Sequence, residues 1–321
     1  MTTYNTTSSP SELMATYYDR KLLIRALPKL VHTQFGQPRP LPQGEGKTIT
    51  FSKFATLGTK TTALTDEYTV PTGQSLSVSQ STGTIAEYGD AVYWTGLLDK
   101  TALGGIPDEI IALLGEQAGE SIDEIVRDVL VAGTNVIYAG GRTARTELRY
   151  SDTLTPALVR QVKRFLERRN APTFASGDYV AIVHPDVVYD LTGDSSWETY
   201  AEYAGSTNIF NGEIGRLYGV RFVRSTKAKI FAYSGSSGGT SSGAPSGDVA
   251  DVYGTVFLGQ NAYGLTELAG GALSFNVISP IPTDVHKRTS VAGWYVIMCS
   301  KIIQQDFMVR VESGATVFTN D

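Results

Sequence analysis

The stretch IPDEIIALLGEQAGESIDEIVRDVLVAG, residues 106–133, constrains the fold more than any other part of this sequence. Ile110, Ile111, Leu114, Ala118, Ile122, Ile125, Val126, Val129 and Leu130 recur at helical spacing. Pro107 fits a first helical turn, Asp108 and Glu109 complement the dipole there, and Gly133 supplies a stop. About 26 residues at ~1.5 Å rise make a rod roughly 39 Å long, longer than the usual three or four turns. The flanking sequence carries strand and turn signals instead. The chain is therefore expected to be a β-rich body braced by one long helix.

Around that helix the chain divides into recognisable parts. Ser9, Pro10 and Glu12 form a capping-box pattern, and Leu13, Tyr17, Leu23 and Leu27 would line one face of a helix ending near Pro28. The prolines of QPRPLPQGEG then force an extended, poorly paired connection. The first 45 residues thus read as an arm that must dock on its own body or on a neighbour. From Gly46 to Thr95 the pattern changes to strands: KTITFSKF and QSLSVSQSTGTIAEYGDAVYWT alternate, separated by a Thr- and Gly-rich run. The simplest reading is one long two-stranded hairpin with an extended tip. Hairpins are marginal alone in water, so this one should lean on a partner.

Beyond the long helix, Thr155 and Pro156 open a second one lined by Leu158, Val162, Phe165 and Leu166. YVAIVHP reads as a buried strand followed by a short helix, PDVVYDLTGD. EIGRLYGVRFVRSTKAKIFAY offers two strands, and DVYGTVFLGQ and GALSFNVIS one each. SGSSGGTSSGAPSGD is too poor in apolar groups to order itself and reads as a mobile loop over 234–248. GWYVIMCSKIIQQDFMVRVES reads as a terminal hairpin.

Charge and chemistry narrow the function. Charged residues make up 18% of the 321, which leaves much neutral polar surface suited to packing against other subunits. A net charge of −5 argues against tight, sequence-independent DNA binding. MTTYNTTSSP lacks the basic and apolar regions of a secretion signal, and no apolar run approaches the ~18 residues of a membrane span. The single Cys299 excludes an intrachain disulfide and fits a reducing cytoplasm.

GEGKT lacks the upstream glycine of a phosphate loop, and Lys47 reads as a solvated strand end. GEIGRLYG reads as a turn between strands. His32, His184 and His286 have no metal-ligand spacing, and His184, Asp186 and Ser195 lack a nucleophile elbow. Glu116, Glu120 and Asp123 read as a solvated helix face, and Cys299 as a buried, inert thiol. Arg160, Lys163, Arg164, Arg168 and Arg169, with His286, Lys287 and Arg288, read first as solvated surface, then as contacts to an acidic partner or nucleic acid. No catalytic, cofactor or metal site is expected.

The order of parts, with TIAEYGDAVYWTGLLD, AIVHPDVVYDL, GEIGRLYGVRFVRS and VHKRTSVAGWYVIMCSKIIQQDFMVRVES, resembles the major capsid proteins of tailed bacteriophages, in the branch of a short-tailed coliphage. The resemblance spans about residues 10–315. It implies an α+β fold of the Hong Kong ninety-seven type: an arm over 1–45, an extended hairpin or E-loop over 46–95, a peripheral domain over 96–177 containing the spine helix, an axial domain over 178–280, and returning C-terminal strands over 281–321.

It further implies an icosahedral shell around double-stranded DNA, built from hexamers and pentamers in the bacterial cytoplasm. Implied partners are copies of itself, separate scaffolding and portal proteins, a decoration protein and weakly contacted packaged DNA, with no membrane. Lys53, Lys60, Asp66, Glu67 and Tyr68 of the hairpin and Arg20 and Arg25 of the arm are the implied interface residues. An encapsulin-like compartment shares the fold and would enclose protein cargo; a β-rich surface adhesin is the alternative of another class.

Overall fold

The computed structural model describes residues 30–61, 73–101, 106–194, 213–236, 250–268, 273–279, 286 and 288–316. The expected N-terminal helix, the hairpin tip and most of the Gly/Ser loop lie outside these residues. The strands are β1 (Gln37–Pro38), β2 (Thr48–Phe54), β3 (Val78–Thr84), β4 (Ala86–Thr95), β5 (Val136–Tyr138), β6 (Tyr179–Val183), β7 (Glu213–Leu217), β8 (Val220–Arg224), β9 (Lys229–Phe231), β10 (Val252–Leu258), β11 (Tyr263–Glu267), β12 (Ser274–Ile278), β13 (Thr289–Ile302) and β14 (Met308–Ser313). The helices are α1 (Gly96–Thr101), α2 (Ile106–Val131), α3 (Pro156–Arg168) and α4 (Pro185–Thr192).

The long helix forms as its spacing requires. Ile111, Leu114, Ala118, Ile122, Val126 and Leu130 make a continuous buried stripe along α2. That stripe packs on the even-numbered residues of β13, namely Ala292, Trp294, Val296 and Met298, and on Tyr263 and Phe275 beside them. The alternation of β13, half-buried then buried, continues for 12 of its 14 residues, from Thr289 to Ser300, because one face of its sheet meets the helix and the other does not.

Two larger sheets carry the body. In the first, β13 is central: β4 pairs with Thr289 to Met298 along one edge, while β11 and β12 lie end to end on the other. The second runs β5-β14-β10-β6-β8-β7, with β9 beside β10. Its central strands β6, β10 and β14 are buried at every position because both faces are covered. One face meets α3 and α4 through Leu158, Val162, Leu166 and Val187; the other shares a core with α2 through Val180, Ile182 and Val256. Helix α3 begins as expected, with Thr155 Oγ1 accepting the Leu158 N–H at 3.3 Å. GEIGRLYG forms the β7–β8 turn through Tyr218 and Gly219, whose φ angles are 52° and 76°.

Several expectations change. Residues 37–41 are not poorly paired: β1 joins β11 in parallel, and the Arg39 and Leu41 N–H groups bond to the Leu265 and Glu267 carbonyls. Prolines at 38, 40 and 42 leave the odd-numbered amides free to make that edge. Asp123 is not solvated: it is fully buried against His32, and Glu120 holds Lys227 at 3.0 Å. The segment expected as a terminal hairpin splits, because half-buried β13 and fully buried β14 belong to different sheets. EIGRLYGVRFVRSTKAKIFAY yields three strands, and β11 carried too short an alternation to stand out.

Candidate assembly surface

The hairpin is built from its root outward. β2 and β3 pair antiparallel from Thr48–Thr84 to Phe54–Val78. Ile49 and Phe51 turn inward and are buried, while Thr50, Ser52 and Phe54 turn outward. The Phe51 ring lies over Gly264, where an added Cβ would stand 2.6 Å from Cζ. Close approach of that ring demands glycine there. Arg39 covers the same ring at 5.5 Å, and Ser81 Oγ donates to the Ile302 carbonyl at 3.1 Å. The root is therefore fixed on β11 and the end of β13.

β3 and β4 do not form one uninterrupted hairpin arm as the alternation suggested. β3 ends at Thr84, and β4 starts at Ala86 in register with Met298. The second strand thus changes partners at Ile85, since β13 offers β4 a ladder ten residues long. Beyond the root the described residues of the hairpin, 54–61 and 73–80, are exposed. Phe54 and Val78 form a cross-strand apolar pair on its open face, with Leu57 and Leu76 next along the chain. Each of these four side chains is exposed, Phe54 to 62%. Large apolar groups gathered on a protruding ribbon mark an interaction surface.

Of the sequence-expected interface residues, Lys53 and Lys60 lie on this hairpin, Lys53 half-buried on the inward register and Lys60 exposed. Asp66, Glu67, Tyr68, Arg20 and Arg25 lie outside the described residues. Phe54, Leu57, Leu76 and Val78 were missed by an emphasis on charge. Phe54 was findable, since it falls on the polar register of KTITFSKF with Thr50 and Ser52.

The titratable groups described outside the hairpin make structural contacts. His184 caps α4, its Nδ1 accepting the Asp186 N–H at 3.3 Å, and burial pulls its pKa below the usual imidazole value. Asp186 accepts from Tyr253 Oη at 2.8 Å, while Ser195 lies outside the described residues. Burial pushes the Cys299 thiol up, away from its reactive thiolate form. Glu312, fully buried, takes both arms of Arg145 at 2.7 and 2.6 Å and Arg310 Nε at 2.8 Å. Among the described residues no group of His, Cys, Asp or Glu could hold a metal ion, and no helix is long and apolar enough to cross a membrane. On α3, Lys163 pairs with Glu167 and Arg160 stacks over Tyr218; just past its end, Arg169 pairs with Asp306.

Comparisons with known proteins agree on one architecture. The family described as "Phage capsid protein" matches residues 108–309. No curated protein matches the sequence. Among solved structures, the capsid of Ralstonia phage GP4 superposes with a TM-score of 0.72 at 15% identity, covering 89% of this chain and 88% of that one. The capsid of cyanophage P-SCSP1u gives 0.66 at 13% identity, covering 88% of each chain. The cyanophage Pam1 capsid gives 0.66 at 15%, covering 92% of this chain and 93% of that one. These likenesses establish the Hong Kong ninety-seven-type fold expected from the order of parts.

Proposed function

This chain belongs to the phage capsid protein family, and from that premise we propose that it is the major shell subunit of a tailed bacteriophage, enclosing double-stranded DNA. The exposed Phe54–Val78 pair, with Leu57 and Leu76, carries the reading further, on a hairpin rooted on β11 and the end of β13. Burying a large apolar side chain is worth roughly 1.5–3 kcal/mol. Repeated at every junction of a closed shell, such modest terms sum to a stable particle, and junctions of this head-to-tail kind close into rings when the rotation fits.

In this reading Lys53, Lys60, Asp66, Glu67 and Tyr68 contribute from the hairpin, and Arg20 and Arg25 from the arm. Residues 96–177 serve as the peripheral body braced by the spine helix, 178–280 as the axial body around the axes of hexamers and pentamers, and 281–321 as the return. Assembly takes place in the bacterial cytoplasm with separate scaffolding and portal proteins, a decoration protein can bind outside, and packaged DNA is touched weakly. Negative-stain electron microscopy of the purified protein, alone and co-produced with the scaffold, tests the reading. Rings or closed shells are expected; a monomer under every condition overturns it.

A further inference from the structure

Arg160, Arg164 and Arg168 follow one another at every fourth position of α3. Four residues at ~1.5 Å rise set them about 6 Å apart along one line of the helix. All three are exposed, because Leu158, Val159, Val162 and Leu166 take the opposite face into the core. Like charges at this spacing repel, so the line is held at a cost to the helix. From Arg160 to Arg169 the chain sets five cations against one carboxylate, Glu167, which Lys163 takes at 3.4 Å. Arg169 turns to Asp306 at 3.0 Å. Arg164 and Arg168 are answered by no carboxylate among the described residues. The outer face of α2 differs: there Lys227 meets Glu120 and Glu124, and Arg127 and Lys229 meet Asp128. On a chain of net charge −5, α3 is a local reversal of sign.

The stripe has a shape as well as a charge. The Arg160 guanidinium covers the Tyr218 ring at 5.5 Å, and that of Arg169 covers Phe165 at 3.8 Å. Phe165, Arg168 and Arg169 line a notch of about 240 Å³ at the C-terminal end of the helix. The negative end of the helix is blunted there, since the Leu166 and Glu167 carbonyls accept from the Arg169, Asn170 and Ala171 N–H groups. Guanidinium forks bind phosphate and carboxylate alike. Spacing separates the two. One DNA strand presents a phosphate about every 3.4 Å along its axis, so alternate phosphates stand about 6.8 Å apart, near the interval of the arginines. Carboxylates on a protein surface carry no such fixed repeat.

We propose that the outer face of α3 is a contact surface for the phosphate backbone of nucleic acid. Arg164 and Arg168 are its principal contacts, and the Phe165–Arg168–Arg169 notch seats one phosphate. The proposal rests on the shell-subunit reading for the source of the phosphates, double-stranded DNA inside the particle, and adds which residues meet it. The contact is local and salt-sensitive, in keeping with a chain that is acidic as a whole.

Fluorescence anisotropy of a labelled mixed-sequence duplex tests it, with the full unassembled chain titrated at about 50 and 200 mM salt. Arg164→Gln with Arg168→Gln removes two phosphate contacts, so the slope of log affinity against log salt is expected to shrink by about 1.8. Over that fourfold rise in salt, wild type should lose about twelve times more affinity than the variant. Lys47→Gln with Lys100→Gln removes two exposed cations elsewhere and is expected to leave the slope unchanged. The α3 variant should melt no lower than wild type, because it relieves like-charge repulsion; this sets lost binding apart from lost folding. A wild-type chain that does not bind the duplex, or an α3 variant with the wild-type slope, would overturn the proposal. So would an equal change from the Lys47 and Lys100 pair, which would mean overall charge and no site. Displacement of the duplex by polyglutamate at equal charge would reassign the face to an acidic protein, and displacement by inorganic phosphate at matched ionic strength to a free anion. Sedimentation of the same proteins reports on the shell separately. Shells with an unaltered salt slope defeat only the α3 proposal, whereas a wild-type chain that is monomeric under every condition defeats the shell reading.

Discussion

Asp123 of the spine helix closes on His32 of the arm's end: Oδ2 lies 2.6 Å from His32 Nδ1, and Oδ1 accepts the Val31 and His32 N–H groups at 2.7 and 2.6 Å. Tyr263 Oη donates to the His32 carbonyl from the other side, and burial drives that phenol far above its usual pKa. Both carboxylate oxygens are used, and the site is closed to solvent. Asp123 thereby ties Val31 and His32 to the long helix.

Asp123→Ala is expected to strand two backbone donors and an imidazole. Leaving a buried donor unsatisfied costs about 1–3 kcal/mol. Urea unfolding should show a loss of that order, and amide exchange should speed up over residues 31–41. Asp123→Asn keeps one acceptor oxygen and is expected to lose less. Unchanged exchange over 31–41 in the alanine variant would show that the clamp does not hold the segment.

The hairpin root depends on one close approach. Gly264→Ala places a methyl carbon against the Phe51 ring and is expected to destabilise the protein by about 1–3 kcal/mol, the usual cost of overpacking. In a Phe51→Ala background the same change is expected to be nearly neutral. A double-mutant cycle measures the coupling; additive effects would contradict the contact.

Acid should weaken the fold through His184. Burial lowers its folded pKa, so below the ordinary imidazole value of about 6.5 the unfolded chain takes up a proton that the folded chain resists. Stability from this group is complete above that pH and falls as pH decreases. Protonation at Nδ1 also removes the acceptor that caps α4. His184→Asn keeps a capping oxygen without titrating, so its melting temperature should drop less than wild type between pH 7 and pH 5. Equal drops would exclude His184 as the source.

Local pattern made much of the architecture legible. The 3.6-residue stripe of α2, the Thr155-Pro156 cap and the uninterrupted apolar run of β6 each carry their structure within a few residues. What escaped depends on partners far away in sequence. Asp123 looks like any exposed helix carboxylate until His32, 91 residues earlier, comes to rest on it. β4 and β3 read as one strand because nothing local marks the point at which β13 takes over the pairing. β13 and β14 read as a hairpin because a short connection usually makes one, whereas their burial patterns assign them to different sheets. The candidate surface was half legible: the hairpin could be placed from its alternation, but its exposed Phe54, Leu57, Leu76 and Val78 were passed over for charged residues, of which Lys53 and Lys60 lie among the described residues.

As a shell subunit, the chain needs its hairpin covered by another copy. Particle yield from a variant lacking residues 56–73 is measured by sedimentation and electron microscopy beside wild type. Loss of shells with a soluble monomer of unchanged circular dichroism is expected; intact shells in normal yield would remove the hairpin from assembly.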